Sequence, residues 1–338
     1  MIALGIECTA HTFGIGLVED GKGGKQILAD ARDVYKPEKG GIHPVEARKH
    51  HEDAKDRVMA EALKDAGLKL DDIDLIAYSA GPGLPPCLKV GAQFVSQIAG
   101  KIKKPVIAVN HPVAHIEVGR FLTKCQDPIV IYVSGGNTQI IGYAARRYRV
   151  FGETEDIAIG NAIDTFMREV TGNAGFGGPL MEKLAADGKY IELPYVVKGM
   201  DLSFSGILTA AIQKWGKESK NKTDKERSAL LGDLCFSFQE TCYSMLTEVT
   251  ERALAHTGKN EVLLTGGVAA SKRLTEMLGI MCKERGAEFF ACPIEYSGDN
   301  GANIAIAGMV AKKAGQKPVK HKQTQDKMTH RSASVCSA

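Results

Sequence analysis

No apolar run in the sequence approaches the roughly 18–20 residues that cross a bilayer. The chain passes directly into Ile2-Ala3-Leu4-Gly5-Ile6, with no basic stretch and no cleavage signal. Neither secretion nor membrane insertion is expected, and the cytoplasm is the expected location. The eight cysteines (Cys8, Cys87, Cys125, Cys235, Cys242, Cys282, Cys292 and Cys336) form no C-x-x-C pair, which excludes a zinc ribbon. Buried, reduced thiols are expected instead. Aromatic residues are scarce at 6%, with one tryptophan. The basic clusters Lys101/Lys103/Lys104, Arg146/Arg147/Arg149 and Lys214–Arg227 are not interleaved with aromatics as a base-stacking surface would be. Net charge is also small, +3 in 338 residues. From Lys317 onward five basic residues face one acidic residue, so the remaining body is near neutral. Such a body does not hold nucleic acid on charge alone; local patches or a partner must help.

What is present is the material of a globular α/β protein: 44% apolar and 25% charged residues, in a length that suits two domains at about 100–200 residues each. Apolar runs end in glycine or polar turns. Leu75–Ser79 leads to Gly81-Pro82-Gly83, Val106–Val109 to Asn110-His111-Pro112, Ile129–Val133 to Ser134-Gly135-Gly136-Asn137, and Val262–Leu264 to Thr265-Gly266-Gly267. Separated by helical stretches, such runs predict mixed or parallel sheets buried on both faces, with ligands beyond the strand C-termini. A helix is predicted after His43-Pro44, with Ala54, Val58, Ala62 and Ala66 on one face and Gly67 as its end. Thr223-x-x-Glu226 has the form of a capping box. Leu230, Leu234, Phe238, Cys242, Met245 and Val249 then mark one long helix, or two broken near Gly232, closed at Gly258. Strand–turn–strand openings near Gly5 and Ile131 divide the chain into related halves, 1–125 and 126–313, flanking a cleft. Residues 314–338 read as a basic tail or linker stub.

His111 and His115 stand at i, i+4, so a helix starting at Asn110 or His111 presents both imidazoles on one face, ready to share a metal. Asp299 is the candidate third ligand, and two histidines with one carboxylate suit iron or zinc with open positions for substrate oxygen. Paired histidines lining a helix are the plainer alternative. The turns Thr9–Thr12, Ser134–Asn137 and Gly266-Gly267 offer clustered backbone N–H groups for phosphate. Asp164 and Glu182 are candidates for ribose hydroxyls, with helix capping by Asn161 or Asp164 as the alternative.

Nine strings resemble one family. They are Gly5-Ile6-Glu7-Cys8-Thr9-Ala10-His11-Thr12, Gly40-Gly41-Ile42-His43-Pro44, Gly81-Pro82-Gly83-Leu84, Asn110-His111-Pro112-Val113-Ala114-His115-Ile116-Glu117 and Tyr132-Val133-Ser134-Gly135-Gly136-Asn137-Thr138-Gln139, followed by Phe151-Gly152-Glu153-Thr154, Lys198-Gly199-Met200-Asp201-Leu202-Ser203-Phe204-Ser205-Gly206, Gly266-Gly267-Val268-Ala269-Ala270 and Asp299-Asn300-Gly301. The family is the universal tRNA threonylcarbamoyladenosine transferases, formerly called O-sialoglycoprotein endopeptidases or glycoproteases. The Thr-Ala-His-Thr turn resembles its archaeal and eukaryotic branch, the catalytic subunit of the KEOPS complex.

The resemblance implies the two-half α/β (ASKHA) fold of actin, sugar kinases and Hsp70, with a nucleotide in the interdomain cleft. It implies transfer of threonylcarbamoyl from threonylcarbamoyl-adenylate, made by a separate synthase, to the exocyclic amine of the adenosine 3′-adjacent to the anticodon in tRNAs reading A-starting codons, with release of AMP. By position, His111, His115 and Asp299 match the family's metal ligands, with Tyr132 a fourth candidate; iron or zinc is expected, with magnesium as a further alternative. Tyr132, Val133, Ser134, Gly135 and Gly136 match the adenylate loop. Asp164, Gly178 and Glu182 match nucleotide-contacting positions, in a site that takes threonylcarbamoyl-adenylate, ATP or AMP. His11 and Glu7 are the candidate catalytic residues, placed to order the leaving group or the tRNA amine. Partners implied are tRNA, a small kinase-like ATPase and a small dimerising subunit. Three positions depart from the pattern: Ser271, a candidate nucleotide-binding residue of shorter reach, stands for an asparagine, Cys8 for a small residue, and Asn173-Ala174-Gly175-Phe176 for a different loop. The tail also lacks the usual acidic, tryptophan-containing ending and resembles the stub of a linker to a fused kinase domain. Two other classes compete: a nucleotide-binding assembly subunit without transfer, and a metalloprotease.

Overall fold

The computed structural model describes residues 1–22, 24–37, 42–173 and 175–319. Gly40-Gly41, Ala174, Cys336 and the tail from Lys320 onward lie outside the described residues. The chain forms two compact units. The first comprises Met1–Leu122, Ala145–Arg147 and the segment from Gly298; the second comprises Thr123–Ala144 and Tyr148–Ser297.

The first unit opens with strands β1 (Ile2–Glu7), β2 (Thr12–Gly21) and β3 (Gly24–Val34), then helix α1 (Pro44–Ala66), β4 (Leu75–Gly81), α2 (Pro85–Ile102), β5 (Val106–Asn110) and α3 (His111–Thr123). Its sheet runs β3-β2-β1-β4-β5. The β1 strand is antiparallel to β2 and parallel to β4, and β4 is parallel to β5. The α1 helix begins on Pro44 and ends on Gly67 in the left-handed conformation, as the sequence predicts. Its buried face (Ala54, Val58, Met59, Ala62) joins Leu4, Ile6, Phe13, Ile15 and Ile76 in one core.

The second unit begins with β6 (Ile129–Val133), β7 (Thr138–Ala144) and β8 (Arg147–Glu153), then α4 (Ile159–Thr171) and α5 (Gly178–Ala185). A short hairpin, β9 (Val197–Lys198) and β10 (Asp201–Leu202), leads to α6 (Ser205–Glu218) and α7 (Asp224–Thr257). The chain continues through β11 (Glu261–Thr265), α8 (Lys272–Arg285), β12 (Glu288–Ala291) and α9 (Ile294–Ser297). Its sheet runs β12-β11-β6-β7-β8. Here β6 is antiparallel to β7 and parallel to β11, which is parallel to β12. Read from the opposite edge, this order repeats the first sheet, so the two openings found in the sequence head two sheets of one topology. Every residue of β6 is buried, as a run of five apolar residues requires. The α7 helix is continuous through Gly232, starts on the reciprocal Thr223–Glu226 capping box and closes on Gly258. Its Phe238 stacks on Phe166 of α4, rings 4.8 Å apart, inside the second core.

The final helix, α10 (Gly301–Lys313), corrects the expected boundary at residue 313. It belongs to the first unit and lies on β1, β2 and β4. The reason is a row of glycines that lets backbone meet backbone. A Cβ on Gly5 would stand 2.1 Å from the Gly301 carbonyl oxygen, and one on Gly16 would stand 2.0 Å from the Ala302 nitrogen. A Cβ on Gly308 would stand 2.3 Å from that of Ala77. The seven described cysteines are buried and unpaired with one another. Cys8 fits only because Gly91 of α2 has no side chain; a Cβ there would lie 1.9 Å from the Cys8 sulfur. Among the described residues, no helix is long and apolar enough to cross a membrane.

Two predictions follow from this packing. The Gly16→Ala substitution forces α10 off the sheet and costs about 2 kcal/mol or more, whereas Gly100→Ala, in open space on α2, is neutral or stabilises by about 0.5–1 kcal/mol. Chemical denaturation of the two variants checks the pair. The second concerns His51, which is fully buried with its ring edge against Phe13; burial, then the neighbouring His50, lowers its pKa from 6.5 to about 4. As pH falls below 6.5 the unfolded chain takes up this proton first. Stability is therefore full above pH 6.5 and declines toward pH 4, by about 3 kcal/mol at 1.36 kcal/mol per unit. His51→Leu should flatten that limb in melts run between pH 4 and 7.

Candidate active site

The strand β5 runs without a break into α3 at Asn110-His111. Asn110 caps the helix: its Oδ1 accepts from the Val113 N–H at 3.2 Å, and Pro112 sits in the first turn, where its missing N–H costs nothing. One turn separates His111 from His115, and their rings meet edge to face with centroids 4.7 Å apart. Both are buried, and their Nε2 atoms stand 3.2 Å apart. Asp299 arrives from the far end of the chain, on the turn before α10. Its Oδ1 lies 3.3 Å from each Nε2. Asn300 caps α10 by accepting from the Asn303 N–H at 2.9 Å, which holds the preceding Asp299 in place.

Glu7, at the end of β1, is fully buried. Its Oε2 accepts from His111 Nδ1 at 2.9 Å, and its Oε1 accepts from the Thr9 backbone N–H at 2.6 Å and the Thr9 hydroxyl at 2.5 Å. Both of its oxygens therefore serve the protein itself. With the proton on Nδ1, the His111 Nε2 lone pair is directed at His115 and Asp299. Burial opposes the charge on Asp299, but the two histidines outweigh it and hold the carboxyl well below its ordinary range. Burial lowers the His115 pKa, against the opposing pull of Asp299.

This donor set fits a divalent ion. Atoms bound at about 2.0–2.2 Å in a tetrahedral arrangement stand about 3.3 Å from one another. The three facing atoms here already have that spacing, and all lie within 4.8 Å of one another. A carboxylate behind a ligating histidine is the usual supporting partner. His11, partly buried on the turn between β1 and β2, belongs to the same unit, its backbone carbonyl accepting from the Tyr35 N–H at 2.8 Å.

The remaining expected residues lie in the second unit. Tyr132 and Val133 end β6 and are buried. The turn that follows is tied by Ser134, whose Oγ accepts from the Asn137 N–H at 3.0 Å and the Gly136 N–H at 3.3 Å. Gly135 and Gly136 are exposed, with open space where a Cβ would stand. The start of α4 packs on this turn: Gly160 N–H donates to the Ser134 carbonyl at 3.2 Å, and a Cβ on Gly160 would lie 2.6 Å from that oxygen. Gly266, at φ 97°, presses equally closely on the Val133 carbonyl.

Asp164, whose pKa burial raises, accepts from the Gly177 N–H at 2.6 Å beside Gly178. Glu182 Oε1 accepts from the Lys272 N–H at 3.2 Å. Ser271 is the N-cap of α8, accepting from the Leu274 N–H at 3.3 Å, so its hydroxyl has a structural task. The turn, Gly178, Glu182 and Ser271 thus sit at or beside the starts of α4, α5 and α8, where N–H groups and helix dipoles favour anions. Sequence reasoning missed Asp156, which gathers six donors around one carboxylate; its Thr-x-Asp setting carries no recognisable signal.

Comparison with known proteins shows the family. A family model described as TsaD, tRNA N6-adenosine threonylcarbamoyltransferase, matches residues 26–306. A curated tRNA N6-adenosine threonylcarbamoyltransferase of Thermococcus kodakarensis is 54% identical over 311 residues, 91% of either chain. A probable bifunctional tRNA threonylcarbamoyladenosine biosynthesis protein of Methanothermobacter thermautotrophicus is 51% identical over 314 residues, which cover 93% of this chain and 56% of that one. The crystal structure of Thermococcus kodakarensis HypF superposes with a TM-score of 0.61 at 14% identity, covering 96% of this chain and 49% of that one; this likeness concerns the fold alone and agrees with the two-half ASKHA architecture. On the family model and the extent of identity, this chain belongs to the tRNA N6-adenosine threonylcarbamoyltransferase family.

Proposed function

We propose that this chain transfers the threonylcarbamoyl group of threonylcarbamoyl-adenylate to the exocyclic amine of the adenosine 3′-adjacent to the anticodon, in tRNAs reading codons that begin with A. The observation that carries the reading is 54% identity to a curated transferase across 91% of the chain. In this reading the amine nitrogen attacks the carbamoyl carbon, the bond from that carbon to the phosphate oxygen breaks, AMP leaves, and the nitrogen sheds one proton. The donor is a mixed anhydride and already activated, so the chain must supply orientation and charge stabilisation more than a strong nucleophile.

The Ser134-Gly135-Gly136 turn takes the donor's phosphate, the Gly135 N–H being the donor not used to tie the turn, with Tyr132 and Val133 as the rigid base of the loop. Asp164, Gly178 and Glu182 hold the nucleoside. Ser271, spent as a helix cap, keeps the start of α8 in place where the family asparagine would reach the ligand. His111, His115 and Asp299, with Tyr132 as a fourth candidate, hold one divalent ion, iron or zinc, with magnesium as a further alternative. When bound, the ion supplies Lewis-acid stabilisation of developing negative charge. Glu7 acts through His111 by fixing its tautomer, and His11 orders the leaving group or the tRNA amine. A near-neutral body calls for partners at the tRNA: a small kinase-like ATPase and a small dimerising subunit, with a separate synthase supplying the adenylate.

The test is a reconstitution of the chain with those partners, threonylcarbamoyl-adenylate and an unmodified tRNA reading an A-starting codon, followed by nucleoside mass spectrometry. Threonylcarbamoyladenosine should form in wild type and fall at least about 100-fold in His111→Ala. Its absence with all components folded and the adenylate intact favours a non-transferring nucleotide-binding subunit. Metal content gives a separate check. Wild type should carry close to one divalent ion per chain, and His111→Ala and Asp299→Ala should carry little. Because the ligands bind as neutral imidazole and carboxylate, affinity should weaken as pH falls through the histidine range, by about tenfold per pH unit for each competing proton. Metal titrations between pH 5 and 8 read this directly.

A further inference from the structure

The segment 197–206 contains the family-like string Lys198–Gly206, to which none of the roles above gives a task. It forms a strap across residues 152–157. Gly152 meets the strap backbone to backbone: a Cβ there would lie 2.0 Å from the Met200 carbonyl oxygen. Asp201 Oδ1 accepts from the Glu153 N–H at 3.0 Å, and the Leu202 carbonyl accepts from the Glu155 N–H at 2.7 Å.

At the end of the strap stands Asp156. Its carboxylate accepts from the Phe204 N–H at 2.9 Å, the Ser205 N–H at 3.1 Å, the Ser205 hydroxyl at 2.5 Å and the Ser203 hydroxyl. It also takes the N–H of Ile157 at 2.6 Å. Burial opposes its charge, but the serine hydroxyls and backbone donors pull its pKa far below the ordinary carboxylate range. The first turn of α6 has no cap from its own Phe204 position; the cap comes from 48 residues away. The bonds that close α6 therefore also fix residue 156.

The same short segment carries the anchors of the Ser134–Asn137 turn. Thr154 N–H donates to the Thr138 carbonyl at 3.1 Å, Ile159 N–H to the Thr138 hydroxyl at 2.9 Å, and Gly160 N–H to the Ser134 carbonyl at 3.2 Å. At Gly160 the contact leaves no slack. A shift of residues 154–160 must move the turn.

We propose that Asp156 is a positioning residue: it locks the strap 197–206 to residues 152–160 and thereby sets the geometry of the Ser134–Asn137 turn that receives the donor's phosphate. The part concerning phosphate rests on the function proposed above; the part concerning the turn does not. The mechanical chain is Ser203–Ser205 to Asp156, Asp156 to the Thr154 hydroxyl at 3.3 Å and the Ile157 N–H at 2.6 Å, then along the backbone to Ile159 and Gly160, and from Thr154, Ile159 and Gly160 to Thr138 and Ser134. Every link is the backbone itself or a hydrogen bond with backbone or a small hydroxyl, so no long side chain absorbs the strain.

Asp156→Asn separates this role from simple helix capping. It keeps the size and one accepting oxygen, but sets an N–H₂ donor against N–H and hydroxyl donors. Hydrogen exchange at the Gly136 and Asn137 amides, held in wild type by Ser134, should quicken by about tenfold or more, as expected from losing bonds to a charged acceptor. The KM for threonylcarbamoyl-adenylate should rise by about tenfold, with kcat and the KM for tRNA within about twofold. The Ser203→Ala variant, which removes one donor, should move the same readouts in the same direction by less. It also serves as the test if Asp156→Asn does not fold. Faster exchange confined to the first turn of α6, with the turn amides and KM unchanged, overturns the proposal and leaves Asp156 a cap. If wild type forms no threonylcarbamoyladenosine, the transferase reading fails on its own, and the exchange at Gly136 and Asn137 still decides whether Asp156 positions the turn.

Discussion

The contact between α10 and the first sheet governs the chemistry of this protein. Gly5 and Gly16 on neighbouring strands and Gly301 on the helix clear the points of closest approach, so that carbonyls and amides of the two elements touch. Such an approach gives up side-chain burial in exchange for a fixed helix axis, because there is no rotamer through which the helix can slide. Asp299 lies immediately before the Asn300 cap of that helix, and its oxygen reaches the two imidazoles of α3, the nearer in sequence being His115, 184 residues away. Moving the helix by an ångström would separate the three facing atoms.

The second unit uses carboxylates differently. Asp156, Asp164 and Glu182 each direct an oxygen to backbone N–H groups at the starts of other segments. Helix starts are where backbone donors go unsatisfied and where an anion is favoured. Supplying some of those donors from within, while the exposed Gly135 and Gly136 stay open, leaves a limited set of N–H groups for an incoming phosphate. In the proposed function, the buried His111–His115–Asp299 cluster of the first unit and the open, glycine-lined turn of the second divide two tasks, holding a cation and receiving an anion.

Much of this was legible in the sequence because it is local. The strands Ile129–Val133 and Val262–Leu264 are short apolar runs with turn residues at their ends; α1 carries proline at its start and glycine at its stop; α7 announces itself with Thr223-x-x-Glu226. The pairing of His111 with His115 follows from helical spacing alone, and Asp299 stood out as a carboxylate in a glycine-flanked turn that the family resemblance then matched to the same ligand set. Other features depend on contacts between distant segments. Gly5 and Gly16 look like ordinary strand glycines, so nothing local assigns α10 to the first unit. Glu7 reads as a free acid until its two oxygens are found on His111 and Thr9. Ser271 reads as a shortened ligand contact until it is seen capping α8. Asp156 has no local pattern, because its donors come from residues 203–205.

The placement of α10 makes the first unit discontinuous in the chain. During synthesis the strands β1 to β5 and helix α3 emerge early, yet the face of β1 and β2 that receives α10 stays uncovered until almost the whole second unit has been made. Domains that form as contiguous pieces can settle while the ribosome is still at work; this one cannot. The His111–His115–Asp299 cluster closes only after residue 299 has left the exit tunnel, so a nascent chain stalled inside the second unit has both histidines and Glu7 but not the third side chain of the cluster. Assembly of the cluster thus becomes a late event in biogenesis, and an interrupted chain leaves bare the sheet face that α10 occupies in the finished fold.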